Sequence, residues 1–262
     1  MRLTKSEIKY LRSLARKKVR TEEGKFILEG WKPVGEALGS AFEIEMVAVS
    51  EGNDNPEHHA VLTAARSRSV PVRELTAREL RQVTDTATAQ GVVALVRQRR
   101  FELTDRLLHG TKLVVVCDAV NDPANLGSII RSSDWYGVDL VVVSCGSVSL
   151  YNEKVVRSTA GSLFHVQVVE EVELTEALPR LRRAGFHIAA AEAGASEPVD
   201  AVAGLDRVAL VLGNEAHGVR PEVRALADRA VSIPRYGKAE SLNVGVAAAI
   251  LLDRIRRYGS KG

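Results

Sequence analysis

The sequence predicts an α/β protein: a doubly wound parallel-sheet domain over residues 110–262, preceded by a smaller α/β domain over residues 1–100. Two observations carry this expectation. KLVVVCDAV, VDLVVVS, FHVQVV, FHIAAAEA and RVALVLG are near-continuous apolar runs separated by helical patterns, as parallel strands covered by helices on both faces require. Before them, the helical stretches Trp31–Leu38 and His58–Ser67 alternate with the shorter β-rich runs MVAVS, VPVREL and GVVALVRQ. Residues 101–109, within RQRRFELTDRLLHG, are polar, charged and poor in periodicity, and read as a linker.

A chain of 262 residues with 45% hydrophobic content can bury a substantial core. Cys117 and Cys145 lie far apart without C-x-x-C spacing, so neither a zinc cluster nor a disulfide framework is expected. The first residues, MRLTKSEIKYLRSLARKKVR, carry charge throughout, and no apolar run reaches about 18 residues. A cytoplasmic protein with no membrane span is therefore expected. The net charge is +3 overall, but residues 1–100 hold 18 basic against 13 acidic side chains, while the remainder is slightly acidic. Contact with a polyanion is thus expected at the N-terminal end.

The first helix is marked by Thr4-x-x-Glu7, the spacing of a capping box. Ile8, Leu11, Leu14, Ala15 and Val19 then recur at helical spacing. Lys5, Lys9, Arg12, Arg16 and Arg20 step by three or four and would share the opposite face. Such a face is either simply solvated or a nucleic-acid contact, and the near absence of interspersed acids favours contact.

In doubly wound sheets, ligands bind beyond the carboxyl ends of the strands. The loops there contain no G-x-G-x-x-G, P-loop or G-x-S-x-G motif, and the six histidines show no H-x-x-x-H spacing. Dinucleotide-dependent, nucleotide-hydrolysing and metal-dependent chemistry lose support. Three loops are unusual. In DAVNDPANLGSIIRSSDWYGV, Asn125 is expected to cap a helix beginning near Leu126, with Arg131 about six residues on; a capped turn with a surface arginine is the plainer reading. In Leu212-Gly213-Asn214-Glu215-Ala216-His217-Gly218, two glycines bracket an amide and a carboxylate after an apolar strand. In the segment from Ile233 to Ile250, Ser241 is expected to cap a helix with Asn243 in its first turn, followed by a face of small residues.

Taken together, NDPANLGSIIR, LVLGNEAHGV and IPRYGKAESLNVGVA resemble the three ordered motifs of the SpoU (TrmH) ribose methyltransferases of the SPOUT superfamily. KKVRTEEGKFILEGWKPVGEAL and TATAQGVVALV are similar to the start and end of the ribosomal-protein-like RNA-recognition domain that precedes the catalytic domain in the ribosomal-RNA branch. The resemblance implies a deep C-terminal trefoil knot, an exception to the rule that chains do not thread loops. It implies S-adenosylmethionine bound in that knot against Gly213, Ile233 and Leu242, with Leu212, Asn214 and Val244 nearby. It also implies homodimers, for which the small-residue helix Val244–Arg257 offers an interface element.

Methylation of a ribose 2′-hydroxyl requires in-line alignment, management of the hydroxyl proton and stabilisation of the developing alkoxide. The family pattern places Arg131 at the hydroxyl, with Asn125, Glu215, Ser241 and Asn243 around it. Arginine stays protonated at neutral pH, which favours alkoxide stabilisation or phosphate positioning over a base role. Lys5, Lys9, Arg12, Arg16, Arg20 and Arg235 are the expected RNA contacts, and no metal is expected. Large-subunit ribosomal RNA is the favoured substrate; methylation of tRNA, methylation of a base, or a non-catalytic RNA-binding role in ribosome assembly are the alternatives. Gly245 stands where the family commonly has serine, and Arg235 where it often has methionine.

Overall fold

The structure is a computed structural model that describes residues 1–51, 56–84 and 90–259. Thr4 opens the chain's first helix, α1 (Lys5–Ser13), with the expected capping box: its hydroxyl accepts from Glu7 N–H at 3.2 Å, and the Glu7 carboxylate accepts from Thr4 N–H at 2.7 Å. The helix is shorter than its periodicity predicts. It stops at Leu14, and a separate α2 (Lys17–Glu23) follows an extended Arg16.

The break leaves carbonyls at the end of α1 in need of donors. Arg20 supplies them, its Nη1 donating to Leu14 O at 3.0 Å and Ala15 O at 2.6 Å. Arg20 is only 4% exposed. Its expected place on an RNA-facing basic stripe is therefore corrected: the side chain is a buried clasp for the helix junction. Lys5, Lys9 and Arg12 share the exposed face of α1, and Arg16 lies exposed at the junction.

The elements that follow are β1 (Lys25–Glu29), α3 (Trp31–Gly39), β2 (Ile44–Ser50), α4 (Pro56–Ser67), β3 (Val72–Leu75), α5 (Ala77–Val83) and β4 (Val92–Arg97). Among the described residues they form a four-stranded sheet of order β1-β4-β2-β3, with β2 and β3 parallel and the other pairs antiparallel. Ile8, Leu11 and Leu14 pack with Ile27, Leu75, Leu80, Val93 and Leu95 in its core. Each such aliphatic side chain contributes about 1.5–3 kcal/mol when fully buried. Residues 86–89 of the TATAQ stretch lie outside the described residues.

The remaining elements are α6 (Asp105–Leu108), β5 (Leu113–Cys117), α7 (Pro123–Trp135), β6 (Leu140–Ser144), α8 (Glu153–Ser158), β7 (Val168–Val172), α9 (Leu174–Arg183), β8 (His187–Ala191), β9 (Glu197–Pro198), β10 (Val208–Leu212), α10 (Pro221–Arg224), β11 (Arg229–Ser232) and α11 (Val244–Gly259). Among the described residues their strands form a seven-stranded sheet of order β7-β6-β5-β10-β8-β11-β9 in which every pairing is parallel. From β5 the chain runs through β6 to β7 on one side and returns through β8, β10 and β11 on the other. The order thus reverses between β5 and β10, whose carboxyl ends lie side by side with Leu212 opposite Cys117.

Two expectations about boundaries change. Residues 101–109 contain α6, capped by Thr104, with Leu108 buried and Phe101, Leu103 and Leu107 packed against the same core as Val114 and Val116. Their polar sequence hid a helical turn whose few apolar residues all point inward. The chain divides into two compact units, one made of residues 1–99 with 151–165 and the other of 100–150 with 166–259. Tyr151 anchors the 151–165 segment in the first unit: its hydroxyl donates to Arg99 O at 2.6 Å and accepts from Arg99 N–H at 2.9 Å, and its ring centroid lies 4.7 Å from that of Phe26.

Replacing Arg20 with methionine removes the guanidinium while keeping the aliphatic stem. The expected loss is about 2–3 kcal/mol of unfolding free energy in urea melts, against a change within about 0.5 kcal/mol for Lys9→Met.

Candidate active site

The carboxyl ends of β5 and β10 carry the loops that the sequence singles out. Asp118 continues β5, its N–H donating to Leu212 O at 2.8 Å. Its carboxylate is fully buried and accepts from Arg220 N–H at 2.8 Å and Arg220 Nε at 2.7 Å, so the buried charge is paired. This pair clamps the far end of the 213–220 loop to β5. Nothing in the sequence around Asp118 signals a partner 102 positions away.

Ala119 follows with φ +53°, a left-handed conformation that costs a non-glycine residue about 1–3 kcal/mol. Two bonds hold it there: its N–H donates to Ser144 Oγ at 2.8 Å, and its carbonyl accepts from Asn214 Nδ2 at 2.8 Å.

The 213–218 loop is a closed turn. Asn214 and Gly218 exchange two backbone hydrogen bonds of 2.9 Å, and Asn214 Oδ1 accepts from the N–H groups of Ala216 and His217. A Cβ at Gly213 would collide with the main chain of Gly218 and Val219. Glycine is required here because the chain's own backbone approaches, a reason the expectation of close ligand approach did not contain. Leu212 is buried in the sheet.

On the other side of the site, Asp122 caps α7, its carboxylate accepting from Asn125 N–H at 2.9 Å, with Pro123 in the first turn. The expected cap at Asn125 is thus shifted by three residues, because the proline favours the first helical position and Asp122 reaches the free N–H. The shift frees the Asn125 side chain for another role. Its Nδ2 donates to Glu215 Oε1 at 2.9 Å, and its Oδ1 accepts from Asn243 Nδ2 at 2.8 Å.

Asn243 in turn caps α11, its Oδ1 accepting from Gly245 N–H at 2.9 Å and Val246 N–H at 3.3 Å. The cap expected at Ser241 therefore lies at Asn243, whose carbonyl also accepts the first helical bond, from Ala247 N–H at 2.8 Å. A Cβ at Gly245 would lie 3.0 Å from Ser128 Cβ and 3.2 Å from Asn243 Oδ1. Gly245 lets α11 approach α7 closely, with the Ser128 side chain occupying the adjoining space.

Asn125, Glu215, Asn214 and Asn243 are thereby brought into one hydrogen-bonded chain. Glu215 also accepts from the N–H groups of Asp122 at 3.2 Å and Asn121 at 3.4 Å. Partial burial raises its pKa, but the Asn125 amide and these backbone donors outweigh that effect and hold the carboxyl below its ordinary value. Arg131 and Ser241 stand apart from the network: both are exposed and make no side-chain hydrogen bond or ion pair among the described residues. Ile233 and Val244 are half-buried, whereas Leu242 is 49% exposed. Arg235 is exposed, its Nη1 reaching Ala239 O at 3.4 Å.

Burial, with the nearby charges of Glu215 and Asp118, pushes the Cys117 thiol up to about 12, so it stays protonated and is no nucleophile. Among the described residues no group of three or more His, Cys, Asp and Glu side chains is placed to hold a metal, and no helix is long and apolar enough to cross a membrane.

A carboxyl held below its unfolded value of 4.5 contributes stability that is complete above that value and is lost as pH falls through the lower folded one. Glu215→Gln is therefore expected to flatten the acid limb of a stability–pH profile measured by urea melts, with the two proteins converging at low pH. Parallel acid limbs would show that the carboxylate contributes nothing.

Residues 112–253 match the model of the SpoU rRNA Methylase family, and residues 5–94 match that of the MRM3-like substrate binding domain. The 23S rRNA (guanosine(2553)-2'-O)-methyltransferase RlmP of Bacillus subtilis is 32% identical over 250 residues, covering 95% of this chain and 96% of that protein. The structure of the SpoU methyltransferase AviRb from Streptomyces viridochromogenes in complex with AdoMet superposes with a TM-score of 0.87 at 26% identity, covering 99% of this chain and 100% of that one. The AdoMet-bound rRNA methyltransferase from Sinorhizobium meliloti gives a TM-score of 0.84 at 29% identity, covering 97% and 95%. The three motifs that meet at Asn125 are thus carried on a matching sequence and a matching fold along nearly the whole chain, which belongs to the SpoU rRNA methylase family and is an S-adenosylmethionine-dependent RNA methyltransferase.

Proposed function

We propose that this enzyme methylates a ribose 2′-hydroxyl of large-subunit ribosomal RNA in the cytoplasm. The observation that carries the reading is the Glu215–Asn125–Asn243 chain, which gathers the three motif loops at the strand ends. The 23S specificity in the name of the Bacillus subtilis relative supports the RNA class. Residues 1–100 serve RNA recognition and 110–262 catalysis, apart from residues 151–165, which fold with the N-terminal unit; the two family matches support the division.

The site suits S-adenosylmethionine. Leu242 leaves half its apolar surface uncovered beside the anchored Asn243, and Ile233 is half-buried at the end of β11, as surfaces for an adenine face require. Main-chain groups of Leu212, Gly213, Asn214 and Val244 border the same loops. The family's trefoil knot belongs to this reading, supported by α11 packing on α7 and by the bond from Asn243 back to Asn125.

When bound, S-adenosylmethionine supplies an electrophilic methyl group on a sulfonium. A carboxylate held below its ordinary range is a weak proton acceptor near neutrality. Glu215 therefore acts as a positioning residue, fixing Asn125 and the 121–122 backbone. Arg131, exposed and with no protein partner among the described residues, stabilises the developing alkoxide or its adjacent phosphate. The Ser241 hydroxyl is free to orient the ribose. Arg235, Lys5, Lys9, Arg12 and Arg16 contact RNA phosphates.

The enzyme acts as a homodimer through α7 and α11, supported by Trp135 at 84% exposure on α7 and Val246 at 50% on α11.

Arg131→Ala is expected to lower single-turnover methylation of 23S ribosomal RNA by about 10²–10³-fold, with S-adenosylmethionine affinity unchanged in calorimetry. Near-normal turnover would remove Arg131 from the reaction, and wild-type protein that binds ribosomal RNA yet methylates none of it would indicate an assembly factor. Light scattering should give a dimer, and Trp135→Asp should raise its dissociation constant about tenfold or more; an active monomer would refute the interface.

A further inference from the structure

The first unit contains a concavity of about 530 Å³ lined by residues of that unit alone. Its lining includes Arg12, Arg20, Arg81 and Lys154, against one carboxylate, Glu153. Arg12 and Arg81 sit in the last turns of α1 and α5, whose packing brings them to one place. Lys154 arrives from a different part of the chain, on the 151–165 segment that Tyr151 pins to Arg99 and Phe26.

Arg12, Arg81 and Lys154 are exposed, and none makes a side-chain hydrogen bond or ion pair among the described residues. Some cations of this unit are partnered, Lys25 with Glu45 at 2.8 Å, Arg97 with Glu43 and Glu45 at 3.0 and 2.7 Å, and Arg2 with Glu51 at 3.2 Å, whereas these three converge on one concavity unpaired. Four converging cations against one carboxylate repel one another, a cost that a bound polyanion relieves. A small-molecule pocket of this size is lined mainly by apolar side chains. This one is lined by charge.

We propose that this concavity is an RNA-backbone cleft, in which Arg12, Arg81 and Lys154 bind successive phosphates of the substrate. The inference rests on the ribosomal-RNA reading above and adds to it a site built in part by residues 152–154, which lie within the catalytic family match yet fold with the N-terminal unit. Arg20 contributes its charge from beneath, its Nη1 already committed to Leu14 O and Ala15 O.

The test compares two triple variants in binding to protein-free 23S ribosomal RNA across a salt series. One is Arg12→Gln, Arg81→Gln, Lys154→Gln; the other removes equal charge outside the cleft, through Lys32→Gln, Arg66→Gln, Arg78→Gln. The cleft triple should weaken binding about tenfold or more near 0.1 M salt and reduce the slope of log K against log salt by about 2. The remote triple should change binding less than about threefold, reflecting net charge alone. Glu153→Gln should tighten binding. Thermal melts and S-adenosylmethionine titration of each variant confirm that the fold and the methyl-transfer site are intact. Wild-type protein that binds both ligands, with the two triples indistinguishable, would overturn the cleft alone. Wild-type protein that binds neither would overturn the enzyme reading and the cleft with it.

Discussion

The catalytic unit depends on one side-chain amide. Asn125 can donate and accept at once, and both capacities are spent: its Nδ2 on Glu215 and its Oδ1 on Asn243, 90 and 118 residues away. A carboxylate could not donate to Glu215, and a lysine could not accept from Asn243. The amide is buried, so a lost bond would leave an unpaired polar group rather than a hydrated one, and burial makes each partner costly to remove. Asn243 passes the constraint on by capping α11, which seats that helix on α7 across Gly245.

The same strand ends hold charge and strain that only a rigid frame sustains. The buried Asp118 is tolerable because Arg220 meets it twice, and Ala119 stays left-handed because Ser144 and Asn214 take up both of its backbone groups. Because β5 and β10 are hydrogen-bonded neighbours at the point where the strand order reverses, the loops after them lie side by side and are tied to each other through Asp118–Arg220, Ala119–Asn214 and the Asn121 and Asp122 N–H groups on Glu215. Preorganisation of this kind supplies the alignment that a bimolecular methyl transfer needs, worth about 7–11 kcal/mol of barrier in favourable cases.

In the N-terminal unit, charge is sorted by burial. Arg20 lies inside and satisfies helix-end carbonyls, while Arg12, eight positions earlier, lies outside without an acid. The residues have the same chemistry and nearly the same spacing pattern, and they do different work because the helix breaks between them. The Tyr151 segment shows the complementary effect, since residues that continue the catalytic sequence pattern complete the surface of the other unit.

By itself the sequence determined the α/β class, the apolar runs that became β5, β6, β8 and β10, the Thr4–Glu7 cap and the three motif loops, because these depend on period and on local turn chemistry. FHVQVV foretold β7 only with a shift, the strand beginning at Val168; the two-residue β9 and the four-residue β11 left no period to read, and β1, as long as β5, was not singled out by its pattern. Only the tertiary structure decided the rest. Asp122 rather than Asn125 caps α7, and Asn243 rather than Ser241 caps α11, because each choice turns on which free N–H a side chain can reach. Gly213 answers to the chain's own backbone, Arg20 to carbonyls, and Arg220 to a carboxylate 102 positions away. Those partners are close in space and distant in sequence, and no local pattern encodes a contact of that kind.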